Sequence, residues 1–411
     1  MTKNKGADLQ NKNNELTSQV VLLPCDSYDE SEVYPAIARG IELLGGLDAV
    51  LGSARSVLVK PNLLKPASAD SAVTTHPAVI SAVLRALAEA GGYEVSYGDS
   101  PGHDSGEKVL GGIGMLDPAM AHGAKLAPML KEKKCVFPEG LTAKEFFFAQ
   151  EVPEADCVIN VCKMKTHALM TVTGAVKNPF GLICGARKPM MHVLYPEEGA
   201  FAGMLADIHR AVPIPLHIMD AVVAMEGNGP GSGDPVPMGL ILMSRDPVAI
   251  DAVFCRLIGL DPKLVTTNIQ GERAGIGTYH EERIGLVLAD AEGARDISWE
   301  EMAAAFSRPG FKVDRQKKGI MGRLLRVLAG VKGRPVIDQK RCIRCGICVE
   351  HCPVEGHALH FSKGRDHPPV YDYRKCIRCY CCQEMCPRKA IRKGGAISFF
   401  RASPFCHLGM K

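Results

Sequence analysis

Two runs near the end of the chain, CIRCGICVEHCP and CIRCYCCQEMCP, constrain it more than any other feature of its 411 residues. In each run the cysteines are separated by two, two and three residues, and the last is followed by proline. They are Cys342, Cys345, Cys348 and Cys352, then Cys376, Cys379, Cys382 and Cys386. A cubane iron–sulfur cluster has four iron corners, each needing one soft thiolate. Three cysteines at this spacing can wrap three corners from one tight loop, and the fourth corner takes a ligand from elsewhere. Zinc also needs four ligands, but usually as two separated pairs. The same four-cysteine run written twice speaks against zinc.

The spacing is that of bacterial ferredoxins with two [4Fe–4S] clusters, where the fourth cysteine of each run crosses to the other cluster. The pattern implies one cluster on Cys342, Cys345, Cys348 and Cys386, and a second on Cys376, Cys379, Cys382 and Cys352. Asp338 and Asp372 each stand four residues before their run, so the module reads as one half used twice. Cys381 is a spare, best read as a small buried hydrophobe.

Length suggests two or three domains. Hydrophobic content of 46% and charged content of 23% are those of an ordinary globular protein. A net charge of +4, with few aromatic residues and no basic stripe among stacking rings, gives no case for nucleic acid. Trp299 carries no readable message. The polar start MTKNKGADLQNKNNELTSQ has no apolar core for a signal peptide, and residues 1–19 are expected to be disordered. No apolar run is long enough for a membrane helix. Eight of the sixteen cysteines belong to the cluster runs and the rest show no disulfide pattern; because exposed clusters are oxidised and lost elsewhere, a reducing compartment, the cytoplasm, is expected.

Upstream, short apolar runs alternate with helical patterns. Residues 20–24, 57–60, 94–99, 157–160, 216–220 and 240–244 read as buried strands. After HPAV, Val79, Ile80, Val83, Leu84 and Leu87 share a helix face, with Pro77 in the first turn and Gly91 as a stop. In DPVAIDAVFCRLIGL, Asp246 is an N-cap with Pro247 next, and Ile250, Val253, Phe254, Leu257 and Ile258 form the buried stripe. This predicts an α/β domain with a largely parallel sheet over residues 20–309. A basic linker helix follows over 310–335, then a small α+β ferredoxin-like domain over 336–395 and a tail over 396–411. The linker could pack on the large domain or lie on a membrane surface. Cys406 and His407 in the tail are weak evidence for a metal.

Ligands of α/β sheets bind beyond the carboxyl ends of the strands. After the strand CVIN, Lys163, Lys165 and His167 alternate and so point to one face if the strand continues. Lys177 and Asn178 follow. Several cations on one face repel unless water or an anion separates them, which suggests a carboxylate or phosphate ligand; a solvated basic loop is the competing reading. Other strand ends bring Lys60, Asn62, Asp99, Ser100 and Asp220, with Glu226 opening the glycine-rich MEGNGPGSGDP. That loop lacks a Walker lysine, and no strand is followed by GxGxxG, so it reads as a turn cluster. Asp99 and Asp220 are candidate acid/base groups or turn residues.

The segments VLVKPNLL, YGDSPG, VCKMKTHALMTVTGAVKNPFG, IMDAVVAMEGNGPGSGDP and SRDPVAIDAVFCRLIGL resemble the domain-of-unknown-function family 362. Its members often carry a two-cluster ferredoxin module. The resemblance covers roughly residues 20–290 plus the cysteine runs, and it singles out Lys60, Asn62, Asp99, Ser100, Lys163, Lys165, His167, Lys177, Asn178, Asp220 and Asp251. Cys162 replaces the proline usual in the family. No reaction is implied by it.

Three functions fit. An iron–sulfur oxidoreductase would take electrons from a low-potential donor or redox partner protein and pass them to an anionic small molecule. Lys163, Lys165 and Lys177 would hold the anion, Asn62 and Asn178 would orient it, and His167 or Asp99 would supply a proton. Alternatively, the large domain docks an acidic partner and the chain is an electron carrier, or the clusters are structural beside a non-redox enzyme.

Overall fold

The computed structural model describes residues 17–102, 104–313 and 333–394. Most of the expected linker helix, the whole tail, and residues 1–16 of the expected disordered start lie outside the described residues. Ser18 and Gln19, assigned to that start, already belong to the first strand. The chain divides into two compact units, Met1–Val313 and Asp314–Lys411.

The strands of the first unit are β1 (Ser18–Pro24), β2 (Ser56–Pro61), β3 (Glu94–Tyr97), β4 (Lys125–Leu126), β5 (Glu132–Val136), β6 (Glu145–Ala149), β7 (Cys157–His167), β8 (Thr171–Thr173), β9 (Leu216–Glu226), β10 (Asp234–Ser244), β11 (Ile284–Asp290) and β12 (Gly293–Ile297). Nine follow one another across the sheet in the order β12-β11-β1-β10-β9-β7-β2-β3-β4, and β8 folds back on β7. From β9 through β4 every neighbouring pair is parallel, as is β1 with β11. The unit is an α/β domain with a mostly parallel sheet.

The alternation of side chains along each strand divides the core. Val21 and Leu23 enter one cluster with helices Glu30–Leu43 and Pro77–Ala90. Val20 and Leu22 enter the opposite one with helix Pro247–Leu257. Leu58 and Val158, also on that second face, meet Phe201, Leu205 and Ile208 of helix Glu198–Ala211. With both faces covered, the strands read as continuous apolar runs. Each fully buried large side chain contributes about 1.5–3 kcal/mol. The expected caps are present: Asp246 accepts from Val248 N at 2.7 Å and Ala249 N at 2.8 Å, and Gly91 ends its helix at φ 70°.

Two strands differ from expectation. The run 240–244 belongs to β10, which is antiparallel to both neighbours. Only the short loop between Glu226 and Asp234 joins it to β9, and a parallel return needs a crossover of about a dozen residues or more. The strand CVIN does not stop at Asn160 but runs on to His167, buried throughout. Its extension pairs with β8 and the far end of β9.

The second unit is small and α+β. It holds the antiparallel pairs β13 (Arg334–Ile337) with β16 (Ile391–Gly394) and β14 (Leu359–His360) with β15 (Val370–Tyr371), plus helical turns Ile347–Glu350 and Cys381–Glu384.

Candidate functional site

Polar side chains collect where β2 and β3 end and along the inner part of β7 and β9, in an otherwise apolar sheet. Lys60, Lys163, Lys165, Asp99 and Asp220 are all buried. Burying an unpaired charge is costly, and the sheet register supplies partners. Lys163 stands opposite Asp220 in the parallel pairing and closes an ion pair of 2.8 Å. Tyr28 completes a triangle, accepting from Lys163 Nζ at 2.7 Å and donating to Asp220 Oδ1 at 2.9 Å. His76, stacked on Tyr28 at 3.5 Å, gives Asp220 its backbone N–H. Lys60 pairs with Asp99 at 2.9 Å, and Asp99 also accepts the N–H groups of Leu63 and Ser100. Burial pulls both lysines below the usual ammonium range while their carboxylates oppose the shift.

Lys60 and Lys163 need no ligand anion for neutralisation, because Asp99 and Asp220 serve as internal counterions. Those carboxylates, expected as acid/base groups, have both oxygens engaged.

Beside the ion pairs runs a chain of amides with one direction. Lys165 Nζ donates to Asn62 Oδ1 and to Val73 O. Asn62 Nδ2 donates to Asn178 Oδ1 at 3.1 Å, and Asn178 Nδ2 to Asn160 Oδ1 at 2.7 Å. Asn160 Nδ2 reaches Ala175 O and His217 Nδ1, each at 2.9 Å. Each amide can donate only from nitrogen and accept only at oxygen, so His217 Nδ1 accepts at one end and the Lys165 ammonium donates at the other. Burial holds the His217 imidazole far below its usual titration range, next to the His209 ring.

Lys177 and Lys188 are half-buried and approach the Phe180 ring, at 5.6 and 5.9 Å from its centre. The Lys188 ammonium donates to Ser100 O. Burial lowers its pKa to about 8, with Asp99 raising it and Lys60 and Lys177 lowering it further. Ser100 Oγ accepts Gly185 N at 2.8 Å. Gly181 packs so tightly on the Lys60–Asp99 pair that a Cβ there would overlap Asp99 Oδ1.

His167 continues β7 and is buried; its Nδ1 accepts from Leu169 N and Met170 N at 3.1 and 3.2 Å. Asp251 accepts Ala175 N at 2.6 Å and Val176 N at 3.1 Å, its carboxyl raised to about 7 by burial. Glu226 pairs with Lys312 at 2.9 Å. Sequence reasoning missed Tyr28, His76, Asn160, Lys188 and His217. Asn160 alone carried a signal, as the one amide inside an apolar strand run.

In the second unit, Cys342, Cys345, Cys348 and Cys386 line one cavity with Ile337, Ile343, Arg344 and Arg388. Cys376 lies within electrostatic reach of Cys379 and Cys352, and Cys382 within reach of Cys379, Cys376 and Cys348. Among the described residues no three His, Cys, Asp or Glu side chains converge on a single-ion point; a cubane takes its thiolates from around a volume. The two runs bend alike, with positive φ at Arg344 and Gly346, then at Arg378 and Tyr380. Backbone N–H groups point at sulfur in both halves, Ala358 N to Cys352 and Ala390 N to Cys386, each at 3.2 Å. Such donors suit a bound thiolate, so the residues fit the cluster.

Fold and cysteines together define an α/β protein with a 4Fe-4S dicluster domain, whose family model matches residues 334–393. Residues 57–256 match the model of a domain of unknown function (DUF362), and the chain belongs to that family. It is 32% identical over 262 residues to a thylakoid-associated protein of Synechocystis sp., covering 64% of this chain and 81% of the relative. The lactate racemase apoprotein of Thermoanaerobacterium thermosaccharolyticum aligns with a TM-score of 0.36 at 9% identity, over 56% of this chain and 54% of that one. A Thermotoga maritima protein aligns with a TM-score of 0.35 at 12% identity, over 62% and 60%. This chain thus spans little more than half the length of those two structures. No helix among the described residues is long and apolar enough to cross a membrane.

Proposed function

We propose that this chain is an iron–sulfur oxidoreductase that delivers electrons to an anionic small molecule at the carboxyl ends of β2 and β7. The observation that carries the reading is the concentration of lysine and asparagine there, with Asp99 and Asp220 as paired carboxylates, in a domain that shares its chain with a dicluster module. Buried ionisable clusters of this kind mark functional sites more often than they add stability.

When bound, the clusters supply single electrons, one on Cys342, Cys345, Cys348 and Cys386 and the other on Cys376, Cys379, Cys382 and Cys352. A low-potential donor or redox partner protein would reload them, in the reducing cytoplasm. Lys177 and Lys188 stand at the half-buried rim and would meet the anion, with Ser100 beside them. Asn62 and Asn178 would orient it. Lys165 would hold charge at the head of the amide chain, and the Lys60–Asp99 and Lys163–Asp220 pairs would brace the walls. His167 accepts two backbone N–H groups at Nδ1, which leaves the proton of its neutral ring on Nε2; that proton would follow the electrons.

The internal neutralisation of Lys60 and Lys163 favours a second reading, an electron carrier whose large domain docks a partner without chemistry. Native mass spectrometry of anaerobically purified protein separates the two. An oxidoreductase retains a small anion beyond polypeptide and clusters, and loses it in the Lys177→Ala, Lys188→Ala variant. A mass of polypeptide plus clusters alone, with unchanged reducibility in that variant, supports the carrier.

A further inference from the structure

The internal repeat of the dicluster module allows each half to serve as the control for the other. Asp338 N donates to Ala390 O and Asp372 N to Ala358 O; Ala390 N and Ala358 N then donate to Cys386 and Cys352. The backbone scaffold around Cys352 and Cys386 is therefore matched, while in the second half Cys381 also hydrogen-bonds Cys379. The halves differ at the residue five before each run. In the first half it is Ile337, which lines the cavity of Cys342, Cys345, Cys348 and Cys386 with a hydrocarbon side chain. In the second it is Tyr371, whose hydroxyl oxygen lies 3.2 Å from Cys382 Sγ. The ring is held by stacking on Tyr373 at 5.3 Å, and Tyr373 is fixed by its own hydroxyl on Pro335 O at 2.9 Å.

A thiolate bound to iron has no proton, so in the loaded module the phenol must donate. A hydrogen bond to a ligand sulfur stabilises the more negative, reduced state of a cluster, and so raises its reduction potential. We propose that Tyr371 sets the potential of one cluster selectively: its hydroxyl raises the cluster ligated by Cys382 and leaves the other untouched. An electron from a one-electron, low-potential donor is thereby biased toward the Cys382 cluster; no bond is made or broken and no proton moves. This inference rests on the cluster assignment and not on what the α/β domain binds.

The test is an anaerobic redox titration of the full chain followed by electron paramagnetic resonance, with iron and sulfide analysis of each sample. Tyr371→Phe keeps the stacked ring and removes only the donor. The expected result is a fall in one midpoint with the other unmoved. Tyr373→Phe, which keeps the stacked ring and the Tyr371 hydroxyl and loses only a bond to a backbone carbonyl, should move that midpoint less than Tyr371→Phe does. Iron content for two [4Fe–4S] clusters in both variants keeps the cluster assignment intact whatever the titration shows. The proposal is overturned if Tyr371→Phe leaves both midpoints in place or lowers both together.

Discussion

Lys163 and Asp220 lie directly across from each other on β7 and β9, and their side chains close a 2.8 Å ion pair that is sealed from solvent. Removing one partner strands the other as a buried charge, whereas removing both leaves only a polar-to-apolar exchange. Lys163→Met or Asp220→Leu alone should therefore cost about 3–5 kcal/mol, and the double variant clearly less than the sum. Denaturant unfolding followed at Trp299, the only tryptophan, reads the α/β unit. Additive costs would show that the pair is not coupled.

Gly181 gives a steric test of the second pair. A methyl group there would overlap Asp99 Oδ1 and crowd Lys60 Nζ. Gly181→Ala should destabilise the unit by about 1–3 kcal/mol through forced displacement, and it should weaken any retained anion in the native mass spectrum. Unchanged stability would mean that the pair moves aside freely.

The amide chain makes a directional prediction. Asn178→Asp replaces the Nδ2 donor that faces Asn160 Oδ1 with an acceptor, setting oxygen against oxygen. The expected loss is about 1–3 kcal/mol, with Asn178→Leu no worse, because it removes the conflict along with the bond. An aspartate variant as stable as the parent would refute the chain's fixed direction.

His209 supplies the pH dependence. Burial lowers its pKa to about 4 against an ordinary value of 6.5. The folded state therefore binds fewer protons than the unfolded chain between those values. Its contribution is whole above pH 6.5 and is lost as pH falls toward about 4. Asp251, raised to about 7, has the opposite dependence in an overlapping window, so the comparison must be with His209→Gln. The parent should lose more stability than that variant on going from pH 6.5 to 4; parallel losses would exclude His209 as the sensor.

Much of this was legible in the sequence because its signals are local. Cysteine spacing declares the dicluster module, since the loop that wraps a cubane is itself a short stretch of chain. The period of apolar residues marks helix Pro77–Ala90, and Asp246 marks the start of helix Pro247–Leu257. The alternation of Lys163 and Lys165 marked the stretch of β7 where buried polar side chains gather. What the sequence could not carry was partnership. Lys163 meets Asp220 only because β9 pairs beside β7, and Tyr28 reaches both from far earlier in the chain. The antiparallel β10 follows from the shortness of one loop, and the amide chain from Asn62 to His217 draws on four separate segments. Charge and polarity were written along the chain. Which charges cancel, and which remain to meet a ligand, was decided by strand order, because ion pairs and hydrogen bonds act over a few ångströms in space, however far apart their residues stand in sequence.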